Sequence, residues 1–153
     1  MSWRAQCCIL AVLPALASLA MAGDASDEEV KKFEGTWKFV SLESDGQEAP
    51  ADVIATWRWV FRGKEITMGD PAQGGAKASF TVDPSQSPRA LDMTALDGNE
   101  KGKMFKCIYE LKGEHLKICL PEGKQAEADR PRPEEFGGGK GLSLIVLERI
   151  KPE

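Results

Sequence analysis

Few residues in this chain can do chemistry, and their spacing excludes more than it supports. The sequence holds one histidine, His115, beside the turn residues Lys112-Gly113, where it reads as a solvated side chain. Zinc sites draw three or four protein ligands from Cys, His and carboxylates, and a nucleophilic Ser or Cys needs a base within hydrogen-bond reach. A lone turn histidine serves neither. Carboxylate catalysis needs two acids a few ångströms apart in a cleft, whereas Glu65 and Asp92 fall on outward positions of strand-like runs, where solvation is expected. Gly137–Gly141 precedes a strand-like run instead of joining a strand to a helix, the wrong context for a phosphate loop. The expectation is a protein that is not an enzyme and takes no metal and no cofactor.

The positive signal is aromatic. Trp57, Trp59 and Phe61 alternate with Arg58 and Val60, and Phe80, Met93, Phe105 and Tyr109 fall on apolar positions of later runs. These side chains would share one dry face. Either they fill a core, or they line a cavity for a small hydrophobic or amphipathic ligand, with the Tyr109 hydroxyl as a polar handle.

The elements that position them follow an N-terminal address. Arg4 precedes an uncharged run from Cys7 to Met21 that ends in Ala20-Met21-Ala22, small at the two positions a signal peptidase reads. The run falls short of the roughly 20 apolar residues of a membrane span, and Pro14 interrupts it. No twin arginine or lipoprotein box is present. Residues 1–22 are therefore expected to be a cleaved signal peptide and 23–153 one domain, secreted or periplasmic, with no stable membrane span after cleavage. The 153 residues are 42% hydrophobic and 29% charged, with a formal net charge of −4. That is ordinary for a folded soluble domain and wrong for a nucleic-acid binder, which shows a basic patch.

Ser26-Asp27-Glu28-Glu29 reads as a capping box opening a short helix that Gly35 stops. Eight strand-like runs follow: Thr36–Ser44, Thr56–Phe61, Lys64–Met68, Ala76–Val82, Arg89–Ala95, Lys103–Leu111, Glu114–Leu120 and Leu142–Ile150. Most are separated by Gly- or Pro-containing turns. Alternation such as Phe80 and Val82 against Ser79 and Thr81 puts one face in and one out. Sequential hairpins of this kind suit an eight-stranded antiparallel up-and-down barrel; a flattened sandwich is the competing architecture.

Cys107 and Cys119 are the cysteines left after signal cleavage. With Lys112-Gly113 as a two-residue loop, Cys107 opposes Ile118 and Cys119 falls on the other face, which favours two free thiols, one in the core and one on the surface. A three-residue loop would bring them together but scramble the apolar pairing. The stretch Pro121–Gly141, with Arg130-Pro131-Arg132-Pro133-Glu134-Glu135-Phe136, is too long for an ordinary connection. It reads either as a linker or as a lid or partner-binding loop anchored by Phe136.

Gly35-Thr36-Trp37, opening the first strand directly after a short helix, resembles the Gly-x-Trp signature of lipocalins and the wider calycin group. The resemblance implies that Trp37 closes one barrel end and that a basic residue late in the last strand packs over its indole. Arg149 matches that position, and a guanidinium on a Trp face is favourable. Phe33–Lys38, Tyr109–Cys119 and Arg132–Phe136 resemble landmarks of an uncharacterised lipocalin-like domain family, expanded in planctomycetes and often exported. Here Gly123–Arg130 lengthens the loop before the last landmark. The resemblance implies a calycin-type fold in a bacterial envelope and no particular reaction. The expected function is an exported binding protein for a small apolar ligand; the alternative is a filled-barrel interaction module for an envelope protein partner, using the 121–141 loop.

Overall fold

The computed structural model describes residues 21–122 and 130–153. The expected signal peptide therefore lies outside the described residues except for its last two. A helix, α1 (Met21–Lys31), leads into nine strands: β1 (Gly35–Ser44), β2 (Gln47–Glu48), β3 (Arg58–Arg62), β4 (Glu65–Gly69), β5 (Ala76–Asp83), β6 (Arg89–Ala95), β7 (Met104–Lys112), β8 (His115–Pro121) and β9 (Leu142–Arg149). A one-turn helix, α2 (Ala51–Ile54), and a 3₁₀ turn at Pro71–Gln73 sit in the connections. Every strand pairing is antiparallel. β1 pairs with β3, each later strand pairs with the next, and β9 returns to β1 from Trp37↔Arg149 to Ser44↔Ser143. Eight strands thus close an up-and-down barrel, and β2 is a short extension on β1. The last pairing rejects the sandwich, because a sandwich keeps its sheets separate.

The dry face of each strand points inward, and one core cluster runs through the barrel, including Trp37, Phe61, Phe80, Leu91, Tyr109 and Leu147. The expected strands agree with the observed ones to within two residues at each end, and Arg89–Ala95 agrees at both. Three local expectations are corrected. Ser26 lies inside the helix, which already runs from the first described residue, Met21, so it is not the cap that opens it. Ala22 and Ala25 favour helix, Asp24 suits the first turn, and Glu29 is drawn sideways into the barrel instead of reaching back to a cap. Thr56 and Trp57 precede β3, because Trp57 N–H closes a turn onto Ile54 C=O at 3.1 Å.

The third correction concerns register. The loops are Gly63-Lys64 and Gly113-Glu114, since Arg62 pairs with Glu65 and Lys112 with His115. The favoured two-residue hairpin turns place φ > 0 at the first central residue. Gly113, at φ +57°, therefore takes that place and not the second. Tyr109 consequently pairs with Ile118 and Cys119 with Ile108. The shift moves every partner by two residues and so keeps every side chain on its expected face.

Candidate functional site

The two ends of the barrel are built differently. At one end α1 acts as a plug. Phe33, just past the helix, sits with ring centroids 5.4 Å from Phe61, 5.5 Å from Phe80 and 5.1 Å from Tyr109. Trp37 Nε1–H donates to Phe33 C=O at 2.8 Å, fixing the indole across the barrel floor. Arg149 covers that indole at 4.3 Å from its centroid. The Arg149 Nη2 group donates to Lys32 C=O at 2.6 Å and Nη1 to Glu34 C=O. Those carbonyls lie just beyond α1, so the arginine ties the chain leaving the helix to the final strand.

Glu29 is the polar centre of the plug, 4% exposed. Its Oε1 accepts from Arg89 at 2.9 Å and from the Tyr109 hydroxyl at 3.0 Å, and its Oε2 accepts from Lys32 at 2.7 Å. Burial would raise the Glu29 carboxyl, but the hydrogen bonds from Lys32 and Tyr109 and the charges of Lys32 and Arg89 outweigh it. The carboxyl is held below its usual range. Burial and the Glu29 charge push the Tyr109 phenol well above its own. The Tyr109 hydroxyl, expected as a polar handle, donates to Glu29 at the plugged end.

Among the described residues, the opposite end is open. A cavity of about 250 Å³ is lined by Phe39, Leu42, Trp57, Trp59, Met68, Gly69, Leu120 and Ile145, with Glu122 and Ser143 on one wall. Phe39 meets Trp57 at 5.7 Å and 89° and Trp59 at 6.2 Å and 75°, so the rings stand at right angles and do not stack. Ser143 is buried, donates to Glu122 Oε1 and lies 2.9 Å from Ser44 Oγ. That chain holds the carboxylate against the cavity wall. Larger grooves lie outside the barrel, one of about 510 Å³ beside Pro88 and Phe136 and one of about 630 Å³ between Trp57 and Asp97. Their walls mix charged and apolar groups, whereas the described lining of the mouth has one charged residue.

The seven expected lining residues divide between these ends. Phe61, Phe80, Met93 and Tyr109 belong to the packed core, three of them against or close to the plug, and Phe105 is half-buried beside it. Only Trp57 and Trp59 reach the open cavity. Sequence reasoning missed Phe39, Leu42, Met68, Leu120 and Ile145 as cavity wall; alternation is consistent with an inward Phe39, Met68, Leu120 and Ile145, but Leu42 turns inward only because the ladder shifts register between Phe39 and Ser41. It also missed Glu29 as a buried group, because charged residues at a helix start ordinarily face water.

Residues 130–141 form a strap across the outside of the barrel. Arg132 Nη1 donates to Cys107 C=O at 2.7 Å and to Leu91 C=O at 3.4 Å, and lies 2.7 Å from Asp92 Oδ1 off the hydrogen-bonding direction. Asp92 is thus paired and half-buried, not merely solvated. Lys117 stands 5.4 Å over the Phe136 ring. Cys119 and Cys107 are both free, as their faces require, but Cys119 is no surface thiol: its Sγ–H points at Gly137 C=O at 3.3 Å beneath the strap. Burial pushes both thiols up. His115 is exposed at its turn.

Among the described residues no cluster of three or more His, Cys, Asp or Glu is arranged to hold a metal ion, and no helix is long and apolar enough to cross a membrane. Compared with known proteins, the chain matches no protein-family model, no curated protein and no solved structure.

Proposed function

We propose that this protein is an exported lipocalin-like binding protein that holds a small apolar or amphipathic molecule at the open end of its barrel. The observation that carries the reading is the asymmetry of the ends: one is filled by Phe33 and its neighbours, while the other gathers Phe39, Trp57 and Trp59 around an apolar cavity. About 250 Å³ is below the roughly 300–1,000 Å³ of drug-sized pockets. The ligand is therefore small. The Gly35, Trp37 and Arg149 arrangement supports kinship with the calycin group, and the N-terminal segment supports export into a bacterial envelope. Native mass spectrometry of protein taken from its own envelope should show a bound adduct, and small hydrophobic probes should quench tryptophan fluorescence. Replacing both Trp57 and Trp59 by Phe should remove most of that response while leaving the remote Trp37 signal. Protein that is consistently ligand-free and unquenched would overturn the reading.

A second reading, a protein-interaction module using the 121–141 loop, is favoured by the filled closed half and by the exposed Glu134 and Glu135 on the strap. Reversing both charges to Lys should abolish a pull-down partner with no change in melting temperature. Retention of every partner by that variant would dismiss it.

A further inference from the structure

The chemistry of the open end narrows the ligand class, on the reading that this end binds a ligand at all. Among the described residues that line the cavity, Glu122 alone is charged; the nearby Arg130 guanidinium is outside that lining and is spent on the backbone carbonyls of Glu122 and Gly141. The other walls are three aromatic rings, aliphatic side chains and the Met68 thioether. Ring faces carry the negative end of the aromatic quadrupole and attract cations, most strongly where water is excluded. Mutually perpendicular rings, such as Phe39 with Trp57 at 89°, bound a box and leave no flat slot for a planar guest. A carboxylate at the edge of such a box supplies a counter-charge where the effective dielectric is lower than in water.

Glu122 is also fixed in place. The Ser44–Ser143–Glu122 chain engages one carboxylate oxygen from the barrel wall. An anionic ligand such as a fatty acid would bring its charge towards this carboxylate with no basic side chain among the described wall residues to offset the repulsion. A neutral apolar ligand would gain burial but leave the carboxylate without a partner charge.

We propose that the open end is an aromatic cage for a small organic cation, with Phe39, Trp57 and Trp59 against its methyl or methylene surface and Glu122 as its counter-ion. Trimethylammonium and similarly compact alkylammonium groups have the required chemistry. They occur both as free amines and as lipid headgroups.

Three probes of one shape test it on the full chain by tryptophan fluorescence and calorimetry: choline, its uncharged carbon analogue with a tert-butyl group in place of the trimethylammonium, and pivalate as the anion. Choline should bind about 10-fold or more tightly than either of the others. Glu122→Gln keeps an acceptor for Ser143 and should bring choline down to the affinity of the carbon analogue. Displacement of choline by phosphatidylcholine vesicles, but not by phosphatidylglycerol vesicles, would assign the chemistry to a headgroup; no displacement by either would assign it to a free amine. Equal binding of the carbon analogue, or a choline preference that survives E122Q, would overturn the cation cage while leaving a ligand-binding barrel. Failure of all three probes to bind would overturn both.

Discussion

The Arg149 guanidinium lies 4.3 Å from the Trp37 ring centroid while its Nε pairs with Glu114 at 3.0 Å and its Nη groups hold the carbonyls of Lys32 and Glu34. One side chain therefore joins the first strand, the last strand, a hairpin turn and the exit from α1. It does so with a planar fork that lysine lacks.

Arg149→Ala should lower stability by about 2–3 kcal/mol, since a cation–π contact and charged hydrogen bonds are lost together. Arg149→Lys should recover less than half of that, because a single ammonium cannot cover the ring and reach both carbonyls. Urea melts of the three proteins check it. Equal stability of the lysine variant and the parent would show that charge alone matters at this site.

Glu29 makes a pH prediction with a definite sign. Its carboxyl is held below the value near 4.5 that it takes in the unfolded chain. Its ionic stabilisation is therefore fully present above that value and is lost as pH falls through the lower, folded one. Glu29→Gln should unfold at lower denaturant at neutral pH, by about 1–3 kcal/mol. It should also show a flatter stability profile between about pH 5 and 3. Chemical denaturation across that window measures both, and an unchanged slope would mean that Glu29 contributes no linkage.

The strap predicts a change in thiol reactivity. Arg132→Ala removes the donors to Cys107 C=O and Leu91 C=O, and charged hydrogen bonds contribute about 1.5–3 kcal/mol each. Local opening of the strap should become at least about 10-fold more frequent. Labelling of Cys119 by a thiol reagent should accelerate to match, with Cys119→Ser as the blank for the other thiols. An unaltered rate would mean that Phe136 and Pro133 hold the strap without the arginine.

Two glycines should differ in tolerance. Gly35 sits at φ +124°, and a Cβ there would lie 3.2 Å from Arg149 Nη1; Gly113 sits at φ +57° with nothing within 4 Å. Gly113→Ala meets only the left-handed backbone cost of about 1–2 kcal/mol. Gly35→Ala should cost more, because it meets backbone strain and also displaces the guanidinium from Trp37. Thermal melts and the near-ultraviolet dichroism of Trp37 distinguish them; equal losses would remove Arg149 from the explanation.

Much of the barrel was legible because its signal is local. Alternation in Ala76–Asp83 and Arg89–Ala95 places Phe80, Val82, Leu91 and Met93 inward whatever their partners. A hairpin register error of two residues at Gly113 changed neighbours and no faces. The Gly35, Trp37 and Arg149 contact was legible through resemblance, and the free thiols through facing. The candidate site was less so. Trp57 and Trp59 were identified as lining residues, but so were Phe61, Phe80 and Tyr109, which the plug buries.

The sequence by itself determined the period of each strand and the hairpin order, because side-chain alternation and turn chemistry act between near neighbours in the chain; the pairing of β9 with β1, which closes the barrel and rejects the sandwich, is a tertiary contact. Only the tertiary structure decided which half of that barrel is filled. Phe33, Glu29, Arg89 and Tyr109 meet across as many as 80 residues of separation, as Tyr109 does with Glu29. The burial of Cys119 under Gly137 and the meeting of Phe39 with Trp57 and Trp59 are contacts of the same kind. No periodicity encodes them; they exist because closing the barrel brings distant inward faces within van der Waals reach.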